Sequence, residues 1–195
     1  MESKTAVNKE QIIRASRNVF KTLGYNKVTM ADVAYAANMG RSSLYYYFKN
    51  KDEVFFAVSA VEFSNILAKA QTKTKATQSF YDNFLAFNKE RLTSLSILVN
   101  DFQNLLNDIR ENANILYFMR NICFEQEFSI YKQMLTWGIK RNDIAAISAE
   151  DLQFLTSNMI YAFKGFEQEV LLFGKIEELT NRLDWVASIV SKGLK

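Results

Sequence analysis

One eight-residue segment, 41–48, brings together groups that can bind a polyanion: an arginine, two serines and four aromatic rings, with no acidic residue among them. Successive residues of a helix lie 100° apart, so a helical segment sorts these side chains onto two sides. The side predicted to face inward holds Leu44, Tyr47 and Phe48. The side predicted to face outward holds Arg41, Ser42, Ser43, Tyr45 and Tyr46.

The outward side chains have the chemistry needed to contact double-stranded DNA. The guanidinium fork of Arg41 matches O6 and N7 of guanine in the major groove, and short serines let the backbone approach the bases. Tyrosine hydroxyls can donate to phosphate oxygens, and Lys49 and Lys51, just past the segment, can neutralise phosphates. Thr29 begins the preceding helix, whose N-terminal amides could hold a phosphate. The predicted DNA-contacting residues are therefore Thr29, Arg41, Ser42, Ser43, Tyr45, Tyr46, Lys49 and Lys51.

Helix-capping patterns place this segment third in a series of helices. Asn8–Gln11 and Thr29–Asp32 have the composition of capping boxes, and Asn50 is a third candidate cap. Gly24 is suited to end the first helix, and residues 38–40 form a tight turn between the next two. The helices predicted in this part of the chain cover about 9–23, 30–37, 41–48 and 51–72.

Two short helices joined by a three-residue turn and followed by a long helix form a helix-turn-helix arrangement, here over about 29–48. The charge distribution supports contact with a polyanion. Residues 1–75 carry twelve Lys and Arg against six Asp and Glu, whereas the remaining residues carry twelve against fifteen. Chance alone can also produce such an asymmetry, and an ordinary small helical bundle is the alternative interpretation of the helices.

The composition argues against several classes of protein. With 195 residues, 49% of them hydrophobic, the chain can build a sizeable core. The absence of histidine removes Ser-His and Cys-His nucleophiles and histidine metal sites, so we expect no enzyme, no metal and no cofactor. A single cysteine, no apolar run near 20 residues and no signal-like N-terminus favour a cytoplasmic protein without a membrane partner.

Helical periodicity continues to the end of the chain, which predicts an all-α fold of about nine helices. The later helices are predicted over about 77–92, 94–109, 112–140, 149–173 and 176–192. The last two carry apolar stripes wide enough to cover a second subunit as well as their own core. The residues predicted at that dimer interface are Leu155, Met159, Phe166, Val170, Phe173, Leu179, Leu183, Val186 and Val190. A thick core within one chain is the alternative.

The middle helices are rich in aromatic residues and methionine, most of which would serve as ordinary core. A cavity between such helices would be apolar and nearly uncharged, which favours a small hydrophobic ligand over a phosphorylated one. The candidate pocket residues are Phe84, Phe87, Phe102, Phe118, Phe124, Phe128, Tyr131, Met134, Met159 and Phe163. Cys123 lies in an apolar stretch and is either a small buried hydrophobe or a thiol sensor.

Three motifs make the N-terminal part, about residues 6–66, similar to the DNA-binding domain of the tetracycline-repressor (TetR/AcrR) family. They are Phe20 before Gly24-Tyr25, the helix start Thr29–Ala34, and the run Leu44–Lys51. The resemblance implies an all-helical homodimer that binds a palindromic operator. It also implies a ligand-binding and dimerisation domain, here 72–195, whose last two helices form a four-helix bundle across the dimer.

By position, the resemblance assigns DNA contacts to six residues: Arg41, Ser42, Tyr45, Tyr46, Tyr47 and Lys51. Tyr47 then has two tasks, since its ring is predicted inward while its hydroxyl could reach a phosphate. The chain departs from the family pattern twice. Asn38 replaces a common turn glycine, and Gly40 replaces a common capping hydroxyl residue, so the operator sequence cannot be carried over.

The sequence therefore favours a ligand-responsive transcriptional repressor that a small hydrophobic effector releases from DNA. An activator of the same family is one alternative. Another is a helical ligand-binding or interaction module without operator binding.

Overall fold

The structure is a computed structural model that describes residues 4–112, 115 and 121–195. In that part of the chain all regular structure is helical, which confirms the all-α fold class. The helices are α1 (Lys4–Leu23), α2 (Met30–Ala36), α3 (Arg41–Tyr47), α4 (Lys51–Gln71), α5 (Phe80–Asp101), α6 (Gln103–Glu111), α7 (Phe124–Lys140), α8 (Ala149–Phe173) and α9 (Ile176–Gly193). None of the described helices is long and apolar enough to span a bilayer.

The chain packs as two units. The first consists of Met1–Phe63 and Leu98–Ile122, and the second of Ser64–Ile97 and Cys123–Lys195. Helices α4 and α5 contribute residues to both.

The core of the first unit is built from α1, α2, α3 and the start of α4, together with α6. Phe20, Leu44 and Phe55 are fully buried there. The predicted second domain, 72–195, includes α6, whereas the structure groups α6 with the first unit. This grouping follows from burial of the apolar side of α6, since Phe102 and Ile109 belong to the same cluster.

Polar contacts also hold α6 to the turn after α1. The carboxylate of Asp108 accepts hydrogen bonds from the backbone N–H and the side-chain amide of Asn26, both at 2.9 Å. Asn104 donates to the carbonyl of Thr22 at 2.8 Å. Gly24 ends α1 with φ +77°, and a Cβ there would collide with the Asp108 carboxylate. Glycine is therefore required both by its backbone conformation and by the close approach of α6.

The helix caps predicted in the first unit form at two of three positions. Thr29 and Asp32 make a reciprocal capping box at the start of α2. Asn50 accepts a hydrogen bond from the amide of Glu53 at 2.9 Å. The box predicted at Asn8 is wrong, because α1 already begins at Lys4 and Asn8 lies inside the helix.

The core of the second unit surrounds aromatic residues of α5, α7 and α8, among them Phe84, Tyr131 and Phe163. The helix break predicted near residue 93 is instead at Phe102, because nothing around residue 93 interrupts α5 and Thr93 bonds back to the carbonyl of Lys89. The helix predicted over 112–140 is described from Phe124 onward, and part of its first half lies outside the described residues.

Candidate nucleic-acid interface

Helix α3 has the two-sided character predicted from its sequence. Leu44 and Phe48 are buried in the core of the first unit. Tyr45 is 51% exposed and Tyr46 is 76% exposed. The side chain of Arg41 and both serines are also exposed. The orientation prediction is therefore confirmed, and the exposed side presents one cation and several hydroxyl groups.

Tyr47 joins α3 to α1. Its ring is half-buried against the core, and its hydroxyl accepts a hydrogen bond from Nδ2 of Asn8 at 2.8 Å. The ring also makes an edge contact with the ring of Tyr46, at 5.1 Å between centroids. The inward position predicted for Tyr47 is confirmed, and the hydroxyl already has a partner within the protein. An accepting hydroxyl still keeps its own proton to donate.

The turn before α3 shows how the two departures from the family pattern are accommodated. Asn38 has φ +53°, so the asparagine adopts the left-handed conformation that glycine would otherwise supply. Gly40 is the N-cap of α3 and contributes no side-chain hydrogen bond. Helix α3 therefore begins with one capping interaction fewer than α2.

Thr29 is fully engaged with Asp32. Its amide and its hydroxyl both donate to Oδ2 of Asp32, at 2.9 and 2.6 Å. The hydroxyl and amide of Thr29 lower the pKa of Asp32, and the positive charge of Arg41 adds to the effect. A phosphate contact by the Thr29 hydroxyl would have to replace one of these bonds.

The two predicted lysines have different surroundings. Lys51 donates to the carbonyls of Tyr25 and Asn26, at 2.9 and 3.4 Å, and its ammonium lies 4.4 Å from the centre of the Tyr25 ring. Tyr25 in turn donates to Asp52 at 2.5 Å. Burial and this carboxylate raise the pKa of Tyr25 to about 12. The side chain of Lys49 is exposed.

Tyr35 is an exposed aromatic residue that is absent from the predicted DNA-contacting residues. It is 89% exposed on α2, whereas Val33, Ala34 and Ala37 are buried. A helical wheel of α2 would have found it, because position 35 lies roughly opposite the face formed by these three residues. Like the tyrosines of α3, it offers a hydroxyl to solvent on the helix-turn-helix.

The predicted pocket residues fall into three groups. Most lie in or against the aromatic core of the second unit: Phe84, Phe87, Phe124, Phe128, Tyr131, Met134, Met159 and Phe163. Phe102 does not, because it packs in the core of the first unit under the guanidinium of Arg17, 5.0 Å from its ring centre. Phe118 lies outside the described residues.

The expectation that this aromatic region is nearly uncharged is wrong. Arg91, Glu127, Lys164 and Glu167 are all buried there. Nε of Arg91 donates to Glu167 at 2.6 Å, and its Nη2 donates to Glu127. The ammonium of Lys164 lies 2.9 Å from the second oxygen of Glu127. Oppositely charged groups spaced 36 to 76 residues apart could not be paired from the sequence alone.

The predicted dimer residues are divided between core and surface. Met159, Val170 and Leu183 are buried within the chain itself. Leu155, Phe166, Leu179 and Val190 are partly buried against that core, and Val186 is half-buried. Phe173 is exposed. Among the residues of α8 and α9 whose side chains the structure describes, the large apolar ones left exposed are Phe154, Tyr161, Phe173, Trp185 and Ile189.

Cys123 lies at the N-cap of α7, next to the aromatic core of the second unit. The residue is half-buried, and burial, followed by the nearby charge of Glu127, raises the pKa of its thiol. A raised pKa leaves less reactive thiolate at neutral pH.

Comparisons with known proteins agree with this geometry. Residues 12–58 match the family model described as bacterial regulatory proteins, tetR family. The sequence is 32% identical to YhgD of Bacillus subtilis (strain 168), an uncharacterized HTH-type transcriptional regulator, over 38% of this chain and 39% of that relative. The match therefore spans about two fifths of the relative's length.

Two further comparisons extend over more of the chain. An uncharacterized HTH-type transcriptional regulator of Haemophilus influenzae is 24% identical over 76% of both chains. The crystal structure of the TetR family repressor AlkX from Dietzia sp. superposes with a TM-score of 0.64, at 17% identity, covering 95% of this chain and 97% of AlkX. Likeness at this level of identity shows a shared fold, so function has to be argued from the residues of this chain.

Proposed function

We propose a repressor function for this chain, which is a helix-turn-helix transcriptional regulator of the tetR family. In this proposal it represses transcription by binding a palindromic operator as a homodimer. One observation carries the proposal: α3 is anchored by buried Leu44 while Arg41, Tyr45 and Tyr46 project into solvent. A helix of this kind can enter the major groove. Repression is favoured over activation because the structurally similar AlkX is named a repressor.

The exposed residues divide into base-contacting and phosphate-contacting roles. Arg41 is the base-contacting candidate, since its guanidinium stands at the N-terminal end of α3. Tyr45, Tyr46 and Lys49 are candidates for phosphate contacts, which fix the position of the protein on DNA. Lys51 acts mainly by holding the turn after α1, because its ammonium already donates to two carbonyls.

Binding to genomic fragments selected by the protein tests this proposal. Arg41→Ala is expected to weaken binding to the preferred DNA site by about 1–3 kcal/mol and to reduce discrimination between DNA sequences. Lys49→Ala is expected to weaken binding to all DNA sequences alike. It should also reduce the salt dependence of binding by the equivalent of about one phosphate contact. Lys89→Ala, which removes an exposed cation from α5 in the second unit, is the matched control. Salt-independent binding, or an Arg41→Ala protein with unchanged affinity, would instead favour an interaction module without operator binding.

The exposed apolar residues of α8 and α9 support a second copy of this chain as the partner. Phe154 is 70% exposed and Trp185 is 62% exposed. A two-fold dimer would cover such residues and present two copies of α3 to two half-sites.

Sedimentation of matched variants tests the dimer. Trp185→Glu is expected to shift the protein to monomer and to abolish tight operator binding. Ile97→Glu, at an exposed isoleucine of α5, should leave the dimer intact. A Trp185→Glu protein that remains dimeric would place the interface elsewhere.

An effector would act through the second unit. Its aromatic core supports a hydrophobic molecule, and AlkX is described as implicated in the biodegradation of n-alkanes. A molecule that releases the operator must bind the free protein more tightly than the DNA-bound protein. Lipophilic compounds are therefore expected to raise the melting temperature and to weaken operator binding. Stabilisation by polar metabolites only would contradict this assignment.

A further inference from the structure

The buried charge cluster of the second unit, formed by Arg91, Glu127, Lys164 and Glu167, contains one donor that no described residue of the chain satisfies. Arg91 is 2% exposed, and its Nε and Nη2 each donate to a carboxylate. Its Nη1 is buried and has no hydrogen-bond partner in the described part of the chain. A buried donor without an acceptor is costly, so this atom requires an oxygen that the described residues do not provide.

The guanidinium cannot relieve this cost by losing a proton. Burial alone lowers the pKa of Arg91, but the facing carboxylates of Glu167 and Glu127 outweigh burial and raise it. Arg91 therefore remains a cation, and Nη1 remains a donor.

The charge balance of the cluster decides which kind of acceptor fits best. Two cations face two carboxylates, so the cluster is neutral as a whole. An additional carboxylate would leave an uncompensated negative charge in the core, which is expensive. An uncharged oxygen, such as a carbonyl, satisfies Nη1 without that cost.

The side chains around the cluster are aromatic and buried, so a molecule bound there would replace some of their ring contacts and meet apolar carbon. Tyr131 is buried in the same core, and its hydroxyl already donates to Asn88 at 2.7 Å. Its ring packs with the rings of Phe84, Phe87 and Phe163, with centroids 5.5 to 6.3 Å away. An acceptor oxygen on an apolar chain would place its polar end at Arg91 and its body against aromatic carbon.

We propose that Nη1 of Arg91 anchors the effector of this protein, and that the effector is an uncharged amphipathic molecule with a hydrogen-bond-accepting oxygen at one end. The assignment rests on the proposed ligand response of the second unit and narrows the class of ligand. It separates ketones, esters and similar molecules from simple hydrocarbons, fatty carboxylates and lipophilic amines.

Four ten-carbon probes test the assignment on the full-length protein: decane, 2-decanone, decanoate and decylamine. We expect 2-decanone to bind at least about tenfold more tightly than decane, because it adds one hydrogen bond to a charged donor. Decanoate and decylamine should bind more weakly than the ketone. The guanidinium NMR signal of Arg91, assigned in the wild-type protein through its bonded side-chain resonances, should shift with 2-decanone and stay unchanged with decane.

Three outcomes would overturn the proposal. Equal affinity for decane and 2-decanone would mean an apolar site without a polar anchor. Tightest binding of decanoate or decylamine would mean a charged ligand class. An Arg91 signal that responds to none of the probes would mean that only a buried water satisfies Nη1.

The Arg91→Lys variant adds a second test where it folds. It keeps the cation but removes Nη1, so the preference for ketone over hydrocarbon should disappear while decane still binds. The wild-type probe series decides the question by itself if the variant does not fold. Lys175→Arg, at an exposed ion pair with Glu169, is the matched control.

Operator release separates this assignment from the proposed function. A ketone that shifts the Arg91 signal but leaves the operator bound would support the anchoring role of Arg91 and contradict the proposed release of the operator by ligand. Release of the operator by another ligand, without a shift of the Arg91 signal, would contradict the anchoring role of Arg91 and support the proposed response to ligand.

Discussion

The hydrogen bond between Asn8 and Tyr47 provides a quantitative test of how α3 is held. Nδ2 of Asn8 lies 2.8 Å from the Tyr47 hydroxyl, and both side chains are half-buried. A neutral hydrogen bond of this kind contributes about 0.5–1.5 kcal/mol to stability. Tyr47→Phe keeps the ring packed and removes only the oxygen, so we expect it to destabilise the first unit by about that amount.

The second single variant requires a correction for helix propensity. Asn8 lies inside α1, where replacing asparagine by alanine stabilises a helix by up to about 0.7 kcal/mol. This gain offsets the lost hydrogen bond, so we expect Asn8→Ala alone to be nearly neutral. A double-mutant cycle cancels the propensity term, and we expect a coupling energy of about 0.5–1.5 kcal/mol.

The assay must report on the first unit. Trp137 and Trp185 both lie in the second unit, so tryptophan fluorescence is unsuitable. Hydrogen exchange of amides in α1 and α3 measures local opening directly. Tyr46→Phe, at a residue 76% exposed, is the control and should change nothing. A coupling below about 0.3 kcal/mol would refute the anchoring role.

Under the proposed function, operator binding by the same variants separates the two roles predicted for Tyr47. If its hydroxyl acts only through Asn8, then Asn8→Ala and Tyr47→Phe should weaken binding equally. A loss confined to Tyr47→Phe would show that the hydroxyl also contacts phosphate directly.

Three further predictions concern the helix-turn-helix and its supports. Gly24→Ala should lower the free energy of unfolding by more than about 1 kcal/mol in denaturant titrations, because alanine is strained at φ +77° and its Cβ meets Asp108. Gly40→Ser should raise that free energy by a few tenths of a kcal/mol, roughly the difference between these caps, since nothing lies within 4 Å of an added Cβ. The pKa of Asp32 is lowered in the folded protein. The contribution of its carboxylate to the free energy of unfolding is therefore complete above the unfolded pKa of about 4, and it is lost as pH falls through the lower folded pKa. Asp32→Asn should therefore reduce the acid-side loss of stability measured between about pH 5 and pH 2. An unchanged pH profile, a neutral Gly24→Ala or a destabilising Gly40→Ser would each contradict the corresponding argument.

Much of the helix-turn-helix was predictable because its signals are local. The capping box at Thr29 and Asp32 involves residues three positions apart, and the two sides of α3 follow from the helical period. The left-handed turn at Asn38 follows from the conformational preference of asparagine. Such features depend on near neighbours in the chain, so the sequence contains the information needed to recognise them.

Local patterns were misleading where a continuous helix or a distant segment decided the outcome. Asn8 has the composition of a cap, but α1 extends past it and its side chain binds Tyr47, 39 residues away. Phe102 has the spacing of its aromatic neighbours, yet α6 carries it into the core of the first unit. Periodicity indicates that a side chain is buried, but it does not indicate which core receives it.

The sequence by itself determined that the chain is helical, where its helix-turn-helix lies and which side of α3 faces outward. Only the tertiary structure decided that Arg91 meets Glu127 and Glu167 in an aromatic core and that, within the part of the chain the structure describes, one of its donors has no acceptor. The physical reason is the separation along the chain over which each interaction acts. Helical period and capping act over a few residues, whereas burial of a charge is tolerated only when packing brings together partners that are far apart in the chain.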